Sequence, residues 1–223
     1  MRLDPRAFCL PMLMLTRTAP LNPRTKEFCA RIRSGARPQL MVIQPEPGSE
    51  PNYCFFSVRE RVRRDGGRIQ LGWSIWEWPG VYLEAERHAV FAPADGSPWL
   101  DISPALVPEI TARLFLPDDA AAEYDFANDG VREDNIREAL AADDRIRDLF
   151  RLAEQKSALL NSLPGFGKIT LEGENAIHFQ RLQREQSSLM FALAMEYTPR
   201  NARCFCGSGK KFKKCHGLNR QTT

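Results

Sequence analysis

The chain has 223 residues, of which 43% are hydrophobic and 26% are charged, a composition typical of a globular protein long enough to bury one core. It carries 31 basic and 28 acidic residues, but residues 199–223 hold seven basic residues and no acidic one, which leaves a net charge of −4 on the rest. No apolar run approaches the length of a transmembrane helix, and no P-loop, Rossmann fingerprint or HExxH motif occurs. We therefore expect no membrane-spanning helix, and the sequence gives no support to a nucleotide-binding or classical metalloprotease function.

The N-terminal region contains a short apolar run, residues 8–15, with a superficial likeness to a signal peptide. Pro11 interrupts this run, Arg17 ends it, and no small-residue cleavage site follows. We therefore expect that the protein is not exported and is cytoplasmic, with residues 1–20 forming a poorly ordered leader.

The first elements of the body are marked by caps and turn residues. Asn22 as N-cap and Pro23 at the first helical position predict a short helix. A strand is expected at residues 39–43, and Asn52 is expected to cap a helix over residues 53–64.

The middle and C-terminal parts of the body differ in their periodicity. Three β-rich segments separated by turn residues predict an antiparallel meander, at residues 68–78, 81–92 and 99–103. Helical spacing of apolar residues then predicts three helices, over residues 106–116, 132–163 and 174–196. The expected fold class is α+β, with a small antiparallel sheet flanked by helices in a body of residues 21–198 and a tail of residues 199–223.

The tail places four soft metal ligands within thirteen positions: Cys204, Cys206, Cys215 and His216. Thiolate sulfur and imidazole nitrogen are the donors of tetrahedral structural zinc sites, and no fifth candidate lies nearby. Gly207 and Gly209 allow the positive φ of a tight reversal, which would bring the last two ligands back to the first pair. We therefore expect one Zn²⁺. The alternative, a disulfide hairpin of a secreted protein, leaves the adjacent cysteine and histidine unexplained.

The spacing Cys-x-Cys-x₈-Cys-His, with Gly-Ser-Gly and Phe212 among lysines, resembles the SEC-C motif, which occurs at the C-terminus of the SecA translocase ATPase and in many small bacterial proteins. The resemblance covers residues 204–217 and implies that the four residues named above are the zinc ligands. It also implies that the tail docks to a protein partner such as a chaperone, a translocase or the ribosome. Binding of nucleic acid by the basic tail is an alternative.

A second group of residues in the body has the order of a thiol triad. Cys54 lies at the start of a predicted helix, His88 on a following strand and Asp101 on the next. A helix N-terminus stabilises a thiolate, an imidazole accepts the thiol proton, and a carboxylate fixes the imidazole tautomer. The alternative interpretation is a buried cysteine, a hydrogen-bonded sheet histidine and a turn carboxylate.

Residues 84–91 followed by residues 100–104 resemble the histidine and aspartate strands of transglutaminase-like and related papain-fold proteins, in which a helix-borne cysteine comes first. The resemblance implies that Cys54 is a nucleophile, His88 a base and Asp101 an orienting acid.

Two functions follow from these patterns. The leading hypothesis is a cytoplasmic zinc-binding adaptor that uses its tail for protein interaction. The alternative is a thiol hydrolase or acyltransferase of transglutaminase-like type, acting on peptide or amide substrates.

Overall fold

A computed structural model of the chain describes residues 15–120, 133–163 and 170–218. The described residues form six strands: β1 (Arg17–Thr18), β2 (Gln39–Val42), β3 (Arg68–Trp78), β4 (Tyr82–Ala92), β5 (Ala112–Pro117) and β6 (Ile136–Ala139). They also form four α-helices and a 3₁₀ turn: α1 (Pro23–Ile32), α2 (Cys54–Asp65), α3 (Asp144–Asn161), α4 (Gly173–Tyr197) and Phe212–Lys214. The expected α+β class is confirmed. Residues 1–14 of the expected leader lie outside the described residues.

The six strands form one open antiparallel sheet with the order β2-β5-β3-β4-β6, and β1 pairs with β3. Strand β5 runs between β2 and β3, so that Leu114 lies opposite Leu40 on one side and Ile75 on the other. The third strand expected at residues 99–103 is reduced to two isolated bridges. These bridges join Leu100 to β4 and Asp101 to the residue that follows β2.

The chain divides into two compact units. The sheet unit comprises Arg17–Glu77 and Leu83–Glu138 and contains α1 and α2. The C-terminal unit comprises the described parts of Met1–Thr16, Trp78–Tyr82 and Ala139–Thr223, and it contains α3, α4 and the tail. The tail therefore belongs to the same unit as the last two helices. The expected boundaries of leader, body and tail stay predictions.

The N-terminus of α1 matches its prediction, whereas that of α2 does not. The Asn22 side chain accepts a hydrogen bond from the Thr25 amide at 2.9 Å, which caps α1. Helix α2 begins at Cys54 with Tyr53 as its N-cap, so the cap expected at Asn52 is wrong. Asn52 instead takes a φ of 66°, a left-handed conformation that asparagine tolerates better than most residues.

The helix expected over residues 106–116 is wrong, because Ala112–Pro117 is the strand β5. Its three successive apolar residues are all fully buried: Leu114, Phe115 and Leu116. A strand covered on both faces has a continuous apolar run, which periodicity alone does not distinguish from a buried helix. Pairing with strands distant in sequence decides the conformation.

The helix expected over residues 132–163 begins only at Asp144, because Ile136–Ala139 forms the edge strand β6. Its N-cap is Asp143, whose carboxylate accepts a hydrogen bond from the Arg145 amide at 3.0 Å. The last helix, expected over residues 174–196, is confirmed as α4. No helix in the described parts of the chain combines the length and the apolar composition needed to span a lipid bilayer.

Two apolar clusters lie on the sheet of the sheet unit. The first joins α2 to the sheet and contains Cys54, Val58, Ala89, Phe91 and Ile102. The second contains Met41, Val90 and Phe115. Because Ala89 and Val90 are successive residues of β4, their side chains point to opposite faces, and so the two clusters lie on opposite faces of that strand.

The core of the C-terminal unit unites the helices with the tail. Its helical and hairpin members are Trp78, Val81, Tyr82, Ile146, Leu149, Leu193 and Ala194. The tail adds Cys204, Phe205 and Phe212 to the same buried cluster. The metal-ligand motif is therefore anchored by hydrophobic burial as well as by its own turn.

Candidate metal centre

A tight reversal brings the two halves of the tail motif together. The Cys204 amide donates to the Lys210 carbonyl at 2.8 Å, closing a short loop. Within this loop Gly207 has a φ of 75° and Gly209 a φ of 71°. Both lie in the left-handed region that favours glycine, so the reversal expected from the two glycines is confirmed.

The reversal gathers all four expected ligands, Cys204, Cys206, Cys215 and His216, whose ligand atoms all lie within 4.8 Å of one another. Cys206 Sγ is 3.6 Å from Cys215 Sγ. His216 Nδ1 is 3.3 Å from Cys204 Sγ and 3.4 Å from Cys215 Sγ. His216 thus faces the cluster with Nδ1, which leaves Nε2 to carry the ring proton when Nδ1 binds a metal.

These separations fit the edges of a metal tetrahedron. With metal–sulfur bonds of about 2.3 Å and a metal–nitrogen bond of about 2.0 Å, sulfur–sulfur edges are about 3.8 Å and sulfur–nitrogen edges about 3.5 Å. Each of the three measured distances lies within about 0.2 Å of these values. The four donors are therefore placed to bind one tetrahedral ion.

The ligands differ in exposure and in acidity. Cys204 is buried, and burial raises the pKa of its thiol. Cys206 is half-buried, and hydrogen bonding from Ser208 lowers its pKa to about 6. The Ser208 hydroxyl also donates to Cys215 Sγ at 3.5 Å. A hydroxyl directed at two sulfurs favours the thiolate forms that bind a metal.

Aromatic side chains tie the ligands to the core of the C-terminal unit. The rings of Phe205 and His216 lie 5.0 Å apart, and those of Phe205 and Phe212 lie 6.0 Å apart. A Cβ atom at Gly217 would come within 2.7 Å of the Phe212 ring. Only glycine fits directly after His216, so the chain can pass closely over the buried phenylalanine.

The second group of candidate residues is brought together in part, in the sheet unit. His88 Nε2 lies 3.1 Å from Asp101 Oδ1, and both side chains are buried. Arg113 Nη1 lies 3.0 Å from His88 Nε2 and forms an ion pair with the Asp101 carboxylate. It also donates to the Ser103 carbonyl at 3.3 Å. His88, Asp101 and Arg113 thus form a buried triplet.

Arg113 is absent from the sequence-based set of candidate residues. Its role depends on β5 lying beside β3, and the segment was expected to be a helix. The sequence does contain one local signal: Arg113 directly precedes the apolar residues Leu114 and Phe115. A charged residue in such a position is expected to pair with a buried group of opposite charge.

Cys54, the third expected member, is buried and lies close enough to His88 to raise the pKa of that histidine. Its side chain packs in the cluster with Ala89 and Ile102. These two residues directly follow His88 and Asp101 in the sequence. The Nε2 atom of His88 lies next to both the Asp101 carboxylate and the Arg113 guanidinium. The catalytic roles of the three residues stay predictions.

Electrostatics favour charged forms in the buried triplet. Burial lowers the pKa of His88, but the nearby Cys54 and Asp101 oppose this effect and raise it to about 9. Burial likewise raises the pKa of Asp101, but His88 and Arg113 lower it more, so that it lies below its usual range. The imidazolium and the carboxylate therefore stabilise each other.

Residues 200–218 match the family model of the SEC-C motif. The match contains all four residues of the cluster, which confirms the resemblance predicted for the tail. No curated protein and no solved structure is significantly similar to the chain. The transglutaminase-like resemblance of the sheet unit stays a prediction.

Proposed function

We propose that the chain, whose residues 200–218 form a SEC-C motif, is a cytoplasmic adaptor whose tail binds one zinc ion and docks to a protein partner. The observation that carries this proposal is the set of four ligand atoms within 4.8 Å of one another. Three cysteines and one histidine form a donor set that binds zinc in preference to harder cations such as Mg²⁺ or Ca²⁺.

The proposed zinc has a structural role. Four protein ligands fill a tetrahedral coordination shell and leave no position for a substrate or a water nucleophile. When bound, the ion would cross-link the start and the end of the tail and neutralise thiolate charge. Its contribution is therefore to folding and presentation of the tail, not to a reaction.

A docking role for the folded tail is supported by its charge and by its anchoring. Residues 199–223 carry seven basic side chains and no acidic one. The buried side chains of Phe205 and Phe212 fix this basic segment on the helices of the C-terminal unit. A charged surface held in one conformation loses less conformational entropy on binding than a flexible tail does.

The proposed compartment follows from the chemistry of the ligands. Thiolates bind zinc only while they are reduced, and cytoplasmic thiol buffers keep them so. None of the five cysteines in the described residues forms a disulfide bond.

Metal analysis of the purified full-length chain tests the first half of the proposal. We expect one zinc per chain, and we expect Cys215→Ser to lose most of it because one ligand is removed. Cys29→Ser is the matched control, since Cys29 is a buried cysteine outside the cluster. Equal metal content in both variants, or well under one zinc in the wild-type chain, would show that the zinc assignment is wrong.

The alternative function, a thiol hydrolase or acyltransferase, takes its support from the 3.1 Å contact of His88 with Asp101. Catalysis would require the Cys54 thiol to transfer its proton to this histidine. The reactivity of Cys54 therefore decides between the two functions.

A further inference from the structure

Helix α4 contributes an aromatic side chain that contacts the metal cluster directly. Phe191 belongs to this helix and lies outside residues 200–218, which match the SEC-C motif. Its ring centroid is 6.0 Å from that of His216, at an interplanar angle of 77°. It is 5.7 Å from the ring centroid of Phe205, at an angle of 84°. Phe191 is therefore in edge-to-face contact with one expected ligand and with the residue between the first two cysteines.

His216 differs from the other ligands in its surroundings. It is exposed, whereas Cys204 is buried and the remaining two ligands are half-buried. Its imidazole contacts a second aromatic ring, that of Phe205, with centroids 5.0 Å apart and planes tilted by 36°. Phe191 is itself 47% exposed, so its contact with the imidazole lies at the protein surface. Two phenyl rings, one from α4 and one from the tail, thus fix the position of the most exposed ligand.

The exposure of His216 makes its bond the one from which release of a bound ion starts. Solvent and a competing chelator reach this ligand first, because the shell of side chains around a metal controls access to it. An imidazole is also the one neutral donor of the four, so it lacks the charge attraction that thiolates have for a divalent ion. Rotation of the ring about its last side-chain torsion is easy unless neighbouring groups prevent it. Release therefore depends on what holds the imidazole.

We propose that Phe191 is a positioning residue of the metal centre, which holds the His216 imidazole with Nδ1 toward the sulfurs and thereby slows release of the bound ion. A phenyl ring has no donor atom, so Phe191 acts through the histidine. This inference rests on the proposed function, because it requires a zinc ion in the cluster. Its consequence is that retention of the ion depends on α4, outside the SEC-C motif.

A purely structural role for Phe191 would give a different result. Phe205 is part of the core of the C-terminal unit, and loss of its contact with Phe191 would loosen the tail whichever side chain occupies position 216. The contact with His216, in contrast, matters only while an imidazole is present. His216→Cys separates the two roles, because four cysteines also form a structural zinc site.

The rate of zinc transfer from the zinc-loaded full-length chain to excess pyridylazoresorcinol, a coloured chelator, tests the proposal. Phe191→Ala should raise this rate about tenfold or more, whereas Phe191→Tyr, which keeps the ring, should stay within about twofold of wild type. Ile177→Ala is the matched control on α4, because Ile177 is 66% exposed, and it should change the rate less than about twofold. Phe191→Leu, which keeps an apolar side chain, replaces the alanine variant if that variant does not fold.

The same substitution is then made in the His216→Cys chain. There Phe191→Ala should change the rate of zinc transfer less than about twofold, because the side chain through which Phe191 acts is gone. An unchanged rate after loss of the ring in the wild-type chain, an equal acceleration by Ile177→Ala, or a full acceleration in the His216→Cys chain would each overturn the inference. A wild-type chain without zinc would instead contradict the proposed function itself, so that the two failures are distinguishable.

Discussion

Phe205 and His216 lie with their ring centroids 5.0 Å apart, and this contact joins a metal ligand to the hydrophobic core of the C-terminal unit. Phe205 is buried in the same cluster as Leu193 of α4. Occupancy of the metal cluster and packing of α4 are therefore coupled through one aromatic side chain. Binding of the ion should stabilise more than the 19 residues that match the motif.

The first prediction concerns removal of the metal. Chelation should raise amide hydrogen exchange in the last turns of α4 as well as in the tail, because Phe205 and Phe212 lose their fixed positions. Exchange in β5, which lies wholly in the sheet unit, should stay unchanged. Hydrogen-exchange mass spectrometry measures both regions in one experiment. An increase confined to residues 200–218 would show that the tail is an independent appendage.

The second prediction concerns Phe212, which is fully buried in the core of the C-terminal unit. Phe212→Ala should lower the free energy of unfolding by about 3 to 5 kcal/mol, because it leaves a cavity and exposes apolar surface. It should also weaken zinc binding, since the ring packs against Phe205 and the chain at Gly217. Thermal unfolding and competition with a zinc chelator measure the two effects.

Leu218→Ala is the control for this substitution, because Leu218 is 70% exposed. It should change the free energy of unfolding by less than about 0.5 kcal/mol. Similar effects of both substitutions would contradict the described packing of Phe212.

The third prediction is a pH dependence caused by His88. Its pKa of about 9 lies above the value of about 6.5 in an unfolded chain. The protonated histidine therefore contributes stability that is complete below about pH 6.5 and is lost as the pH rises through about 9. We expect the free energy of unfolding to fall by up to about 3 kcal/mol across this window. The charged or titratable groups that face His88 are Cys54, Asp101 and Arg113.

Denaturant unfolding at several pH values measures this loss of stability. His88→Gln should flatten the profile, whereas His178→Gln should not, because His178 is exposed on α4. A profile that keeps its slope in the His88 variant would assign the pH dependence to other groups.

The fourth prediction concerns the reactivity of Cys54. Its side chain is 6% exposed and packs against Ala89 and Ile102, so labelling by iodoacetamide at neutral pH should be slower than that of free glutathione. Cys29 is the internal comparison, because burial raises the pKa of its thiol to about 11. Rapid labelling of Cys54 that slows in His88→Ala would support the thiol hydrolase instead.

Local signals in the sequence were sufficient to predict the helix α1 and the reversal of the tail. The side chain of Asn22 caps α1 through a contact only three residues long, and the spacing of the cysteines and glycines encodes the reversal of the tail. Such contacts depend on neighbours in sequence, so they are visible without the fold.

Long-range pairing was not visible in the same way. Strand β5 pairs with β2 and β3, which lie far away in sequence, and its apolar run was compatible with a helix. The position of Arg113 beside His88 and Asp101 depends on that pairing and could not be predicted without it. The position of Phe191 beside His216 could not be predicted either, because it depends on where the tail folds back on α4.

The central claim is that three sulfurs and one nitrogen of the tail bind a single zinc ion. X-ray absorption spectroscopy at the zinc edge of the purified chain tests it most directly. We predict three sulfur ligands at about 2.3 Å and one nitrogen ligand at about 2.0 Å. In His216→Ala the nitrogen ligand of the histidine should be lost while the sulfur ligands remain. A spectrum dominated by oxygen ligands, or one unchanged by the substitution of His216, would contradict the proposed site.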